Sequence, residues 1–409
     1  MDKSTFFTGQ PIFTQLLSLI PRSLVQRLCR EYNCDRYCKK FTTYDHLVSM
    51  LFSSFHHCSS LRELITGLQA NVHRLKHLGL KYTPRRSTLA DANGRRTADF
   101  FGTLFHKLYQ HHYGVLPDSL KNKSIRDRLF IIDSTTISLF SSVMAGMGCY
   151  GNNGKKKGGA KAHMLIRAKD QLPCFVHLSD AKENDKAFLP KLTLPKGSIV
   201  VMDRGYNSYK PLIKWTKQKV MWVTRLHPSS VWSLQQSLTV TENQRQQGVL
   251  QDAIIALGNP RTAHLNPVQS ARLIRFLDND TNKEFSFISN NLTISALTIA
   301  RIYRQRWDIE LLFKRIKSNF NLQDFLGDNE NAIKIQLWCG LIADLLIKVV
   351  KDKVDKNRKR KWSFSNLASL IRQHLTTYIN LFAFLTYPER AMLQYCKNPP
   401  VHQLQLYIT

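Results

Sequence analysis

A chain of 409 residues is long enough for a sizeable core and more than one domain, and 43% hydrophobic with 22% charged residues excludes a disordered or fibrous protein. Fifty-nine Lys and Arg against 29 Asp and Glu leave a formal charge of +30, which repels itself unless a polyanion offsets it. Nucleic acid is therefore the expected partner.

From the N-terminus, residues 1–120 read as a helical, DNA-binding region. Residues 41–80 carry apolar side chains at three- and four-residue spacings with few Gly or Pro, the pattern of amphipathic helices. Two further helices are expected over 83–110, with Ser87 as an N-cap, Gly94 as a turn and 97–109 as the second helix. Arg85, Arg86, Arg95 and Arg96 around their ends suit DNA; a solvated basic pair of helices is the alternative. Cys29, Cys34 and Cys38, with His56, His57 and Cys58 further on, match no zinc spacing, and the eight scattered cysteines read as reduced thiols.

Beyond Lys121 the pattern changes. RLFIIDSTTISLF, AHMLIRA, PCFVHLSD, SIVVMDRG and KVMWVTRL are short, β-branched runs, the later ones separated by helical stretches near 185–192 and 208–218. They predict an α/β catalytic core over 121–226, a mixed sheet flanked by helices, with hairpins first and crossovers later. Residues 227–290 read as a β-rich insertion, 291–330 as the last, helical part of the core, and 331–409 as a helical C-terminal region. Within the last, the apolar run 337–350 is broken by Asp344 and Lys348 and reads as a buried helix, so no membrane association is expected. KNRKRK at 356–361 is an exposed basic stretch.

Three acidic residues stand out. Asp133 follows LFII and Asp203 follows IVVM, and a carboxylate at the end of a buried strand is costly unless paired, hydrogen-bonded or bound to metal. Capping a turn is the ordinary alternative for each. In YRQRWDIELLFKRIK, residues 303–317, helical periodicity places Tyr303, Arg306, Glu310 and Lys317 within an arc of roughly 60°. Ile302, Ile309, Leu312, Phe313, Ile316 and Phe320 form the adjoining apolar stripe. A Glu310–Lys314 pair would explain Glu310 alone and leave the other three unaccounted for. Phosphoryl transfer needs such a set: two divalent ions about 3.5–4 Å apart serve attacking and leaving oxygens. Hard cations take carboxylate ligands, and Arg306 and Lys317 can hold phosphates beside them.

IIDSTTI, VMDRGYNSY and YRQRWDIELLFKRIK resemble, in order and spacing, the three catalytic blocks of bacterial insertion-sequence DDE transposases. The subgroup is the one with a Y-x2-R-x3-E-x6-K signature, the insertion sequence four family, which Tyr303, Arg306, Glu310 and Lys317 match without departure. The resemblance spans about residues 121–350 and implies an RNase H-like core in which Asp133, Asp203 and Glu310 are catalytic and bind two Mg²⁺ or Mn²⁺. It implies cleavage at transposon ends and attack of a 3′-hydroxyl on target DNA, with double-stranded terminal inverted repeats and target DNA as partners. A homodimer assembled on DNA and a cytoplasmic, nucleoid-associated location also follow from it. Tyr303, Arg306 and Lys317 would contact end phosphates; Arg204 and Tyr206, just after Asp203, are expected DNA contacts as well. Some members stack a flipped base on an aromatic of the insertion, where Trp232 is a candidate and a partly buried structural Trp the alternative.

GMGCYG at 146–151 formally fits G-x-G-x-x-G, but NNGKKKGGAK follows it where a dinucleotide site needs a helix. Residues 146–161 read instead as a flexible loop whose Lys155, Lys156, Lys157 and Lys161 reach phosphates or simply water. His163 and Asp180 are expected to be structural. Two other functions stay open at this point: a DNA-binding transposase descendant without catalysis, and a metal-dependent nuclease that cuts without joining.

Overall fold

The computed structural model describes residues 9–114, 124–138, 148–150, 156–180, 183–264, 267–320 and 324–390. The chain divides into two compact units, Tyr113–Lys314 and a second made of Met1–His112 with Arg315–Thr409.

Among the described residues of the first unit ten strands form one mixed sheet: β1 Leu129–Ser138, β2 Gly148–Tyr150, β3 Lys156–Arg167, β4 Leu172–Asp180, β5 Ile199–Met202, β6 Met221–Arg225, β7 Trp232–Ser237, β8 Val249–Leu257, β9 Gln269–Asp278 and β10 Lys283–Ser289. Their order is β2-β3-β1-β5-β6-β10-β9-β8-β7, with β4 also on β3. Early hairpins and later crossovers are both present. β1, β3 and β4 are antiparallel neighbours, whereas β5 joins β1, and β6 joins β5, in parallel.

The helix Tyr209–Lys217 makes the crossover from β5 to β6, burying Leu212 and Trp215. Leu129 to Ile132 of β1 and all of β5 are buried, as expected for parallel strands covered on both faces. Phe130, Ile132, Val200, Met202, Trp215 and Trp222 belong to the same core.

Residues 227–290 carry β7 to β10 and the short helix Glu242–Gln246, and β10 pairs with β6, so these strands prolong the core sheet. Arg272 holds the buried Asp252 through Nε at 2.8 Å and Nη2 at 2.6 Å, tying β9 to β8 with both charges satisfied.

Several local expectations change. Lys156 to Lys161 are not loop: they open β3, where Tyr150 pairs with Lys156 and Cys149 with Lys157. The long β1 reaches Ser138 opposite Gly159, and its backbone pairing carries the lysine-rich segment into the sheet. Lys155 lies outside the described residues. Near 185–192 stand two 3₁₀ turns, Asp185–Ala187 and Leu189–Lys191, the second with Pro190 at its start.

The elements described in the second unit are helices. Its first part carries Ile12–Leu17, Arg22–Glu31, Thr43–His56, Leu61–Ala70, Arg86–Arg95 and Ala98–Tyr113; Glu330–Asp355, Phe364–Gln373 and Leu381–Thr386 follow. Thr43–His56 starts with a reciprocal capping box between Thr42 and Asp45. Arg86–Arg95 begins one residue before Ser87 and runs through Gly94, with no side-chain cap.

Cys38 Sγ donates to Phe41 O at 2.8 Å, and His57 Nε2 lies 2.5 Å from Asn319 O. Two of the six residues weighed as zinc ligands, Cys38 and His57, thus have partners of other kinds. Asp344 is buried in Glu330–Asp355 and paired with Arg315 by 2.9 and 2.7 Å contacts. Among the described residues no helix is long and apolar enough to cross a membrane. Of the basic stretch 356–361, Arg358 is only half-exposed: it donates to Leu385 O and Thr386 O at 3.1 and 2.7 Å and lies over Trp362.

Candidate active site

The parallel register fixes two of the three carboxylates. Ile132 stands opposite Met202, and the next residues in the chain are Asp133, still on β1, and Asp203, just past the end of β5, so both sit where the parallel pairing of the two strands ends. Ligand sites in open α/β sheets favour such strand ends. Asp203 also caps the 3₁₀ turn Arg204–Tyr206, accepting from Gly205 N at 3.5 Å. Catalytic and capping readings of this residue are therefore compatible.

Glu310 comes from the third block, which is not one helix. Ala296–Arg304 ends, and Trp307–Asn319 begins after a turn at Gln305 and Arg306. Across that turn the bonds run to the third residue back: Gln305 N to Ile302 O, Arg306 N to Tyr303 O and Ile309 N to Arg306 O. A 3₁₀ step tightens the winding, so an arc drawn at a uniform 100° per residue does not describe this block. Its apolar stripe is nevertheless buried, from Ile302 through Ile309, Leu312, Phe313 and Ile316 to Phe320.

From the turn, Arg306 bridges two carboxylates. Its Nη1 donates to Asp133 Oδ2 and its Nη2 to Glu310 Oε1, each at 2.9 Å. Tyr303 Oη donates to Asp203 Oδ1 at 3.4 Å, and its ring lies 4.8 Å from that of Phe287 and is 8% exposed. Three acids separated by 70 and 107 positions in sequence thus share two adjoining partners. Glu310 pairs with Arg306, not with Lys314. Lys317 stands two turns beyond Glu310 on the same helix, near its last turn.

The electrostatics follow from partial burial. Asp133 is pushed up to about 6: burial raises it, and Asp203 and Glu310 add to that, against the Ser134 N–H and Arg306. Arg306 rises although burial opposes it, because Tyr303, Asp133 and Glu310 favour its charge. Burial takes the Tyr303 phenol to about 12 and lowers Lys317 from its usual range. Hard carboxylate oxygens are the donors Mg²⁺ and Mn²⁺ take, and a guanidinium between Asp133 and Glu310 marks their demand for positive charge. The donor chemistry fits divalent ions. Among the described residues, however, no three acids or histidines stand at metal-ligand spacing.

Of the other expected DNA contacts, Arg204 is exposed beside Asp203. Tyr206 is not available: it is 1% exposed, and its hydroxyl lies 3.4 Å from the buried His163 Nδ1. Lys156 and Lys157 have backbone positions in β3 only. Trp232 is 39% exposed on β7 and does not line the cavity beside the site.

That cavity, of about 830 Å³, is walled by Arg225, Phe285, Phe287, Tyr303, Arg306 and Trp307 among others. Arg225 lies over Phe285, 5.4 Å from the ring centre, and Trp307 is 60% exposed. Sequence reasoning missed these aromatics. The signal for Trp307 was its place directly after Arg306; Phe285 and Phe287 carried none beyond strand alternation.

A family model described as the transposase DDE domain matches residues 125–346, more than half of the chain and all three carboxylates. The chain belongs to the DDE transposase family. A second model, a domain of unknown function (DUF4372), matches residues 8–81. The putative transposase y4zB of Sinorhizobium fredii is 30% identical over 275 residues, 65% of this chain and 72% of that one. The probable transposase for insertion sequence element IS5377 of Geobacillus stearothermophilus is 25% identical over 236 residues, 58% of this chain and 60% of that protein. The putative transposase for insertion sequence element IS4SA of Synechocystis sp. is 24% identical over 276 residues, 64% of this chain and 71% of that one. This transposase is accordingly an enzyme of DNA cleavage and strand transfer, from a family that generally uses divalent metals.

Proposed function

We propose that the transposase is a cut-and-paste enzyme of the insertion sequence four type, with Asp133, Asp203 and Glu310 as its catalytic carboxylates on an RNase H-like core. The observation that carries this reading is the convergence of the three acids, distant in sequence, on Arg306 and Tyr303. Strand order supports the core, since hairpin strands lie on one side of β1 and parallel strands on the other. The carboxylates would hold two Mg²⁺ or Mn²⁺, which supply polarisation of the attacking and leaving oxygens. Arg306, Lys317 and Arg204 bring positive charge to the DNA phosphates, while Tyr303 orients Asp203 instead of stacking on a base. The aromatic and arginine walls of the adjoining cavity suit an unpaired nucleotide. Residues 9–114 serve DNA binding in this reading, and synapsis of two transposon ends requires a dimer.

A duplex carrying the inverted repeats that flank the reading frame, incubated with the full chain and Mg²⁺, tests it. Cleavage and joining to a target duplex are expected, and Asp133→Asn, Asp203→Asn or Glu310→Gln should each remove both while the duplex stays bound. Cleavage that persists in any of the three contradicts the assignment.

A further inference from the structure

Another carboxylate reaches this end of the sheet from the opposite face. Consecutive residues of a strand point to opposite sides, so Asp133 faces Arg306 while Ser134 faces the core beneath. Ser134 pairs across β1 and β3 with His163. Below it, Ser134 Oγ donates to Asp185 Oδ1 at 3.0 Å, and Lys161 Nζ pairs with the same oxygen at 2.7 Å. His163 Nδ1 is 3.6 Å from that oxygen, and burial holds its imidazole at about 4, neutral at pH 7. The other oxygen of Asp185 and the Asp203 carboxylate both approach Gly205, 3.5 and 4.0 Å from where a β-carbon would stand.

Asp185 therefore binds the residue next to Asp133 and stands beside the turn that follows Asp203. Ser134, which it anchors by the hydroxyl, donates its own N–H to Asp133 Oδ1 at 2.8 Å. A displaced Ser134 moves that donor and turns the Asp133 carboxylate with it.

We propose that Asp185 is a positioning residue for Asp133, which it fixes through Ser134. The proposal rests on the reading of Asp133 as a cation ligand. Lys161 balances the charge of Asp185, which leaves the carboxylate free to act as an anchor instead of a ligand. Outer partners of this kind typically change metal affinity by about 10–100-fold when lost.

Calorimetric titration of Mn²⁺ alone into the full chain tests the proposal. Asp185→Ala should bind Mn²⁺ about tenfold more weakly than the wild type, with its thermal midpoint nearly unchanged. Asp185→Asn, which keeps an acceptor for Ser134, should recover most of that loss. Ser134→Ala should lose about as much as Asp185→Ala, and the double variant no more than either, because one linkage is removed in all three. If the alanine variant at 185 does not fold, Ser134→Ala carries the test by the same loss. Wild-type affinity in Asp185→Ala or in Ser134→Ala overturns the proposal while leaving the proposed function standing. A wild type that binds no Mn²⁺ overturns both.

Discussion

Arg306 is the residue on which the arrangement turns, because its two amino groups serve two different acids from a turn, not from a helix face. Removing it leaves Asp133 and Glu310 facing each other with no local countercharge. Arg306→Ala should therefore destabilise the metal-free protein by about 1.5–3 kcal/mol, the usual worth of hydrogen bonds to charged groups. Mn²⁺ should raise the thermal midpoint of this variant more than that of the wild type, since the ion neutralises the same pair. Equal shifts in the two proteins would show that Arg306 and the metal do not address the same charge.

The residues of the site were unequally legible. Asp133 and Asp203 could be found because each breaks an apolar run that a strand must bury. Tyr206 misled because a phenol three residues after Asp203 reads as polar, whereas its ring fills the core beside His163. Asp185 sat unnoticed in the polar stretch KENDK, where sequence offers nothing to separate it from Glu183 or Lys186.

At the scale of elements, apolar periodicity located the helices and strands but not their breaks. The third block kept its buried stripe through the 3₁₀ step at Gln305 and Arg306, so the pattern carried no sign of it. β3 was hidden differently: its first residues are lysines and glycines, and the force that orders them is backbone pairing with β1 and β2, which composition does not record.

Charge within the apolar run 337–350 had a cause in the fold. Asp344 is 1% exposed in its side chain and gripped by both arms of Arg315. Arg315→Met should cost about 3–5 kcal/mol by stranding a buried carboxylate. Chemical denaturation measures this directly, and Arg315→Met with Asp344→Leu should recover much of the loss. A double variant no more stable than the single one would place the cost in packing instead of charge.

For the molecule as a whole, the +30 charge announced a polyanionic partner before any motif was read, and the family assignment over residues 125–346 agrees with it. Charge alone gives no reaction. What composition could not supply is the meeting of three short segments, because the parallel register of β1 and β5 and the turn before Trp307 are tertiary facts.

The most direct measurement is a Mn²⁺ titration at pH 7.5, above the raised value of about 6 at which Asp133 gives up its proton. Asp133→Asn, Asp203→Asn and Glu310→Gln would be compared singly with the wild type. Each substitution should weaken Mn²⁺ binding by at least about tenfold, since every ion in a shared site feels the loss of any ligand. Wild-type affinity in any one of them would separate that carboxylate from the other two and contradict a common catalytic centre.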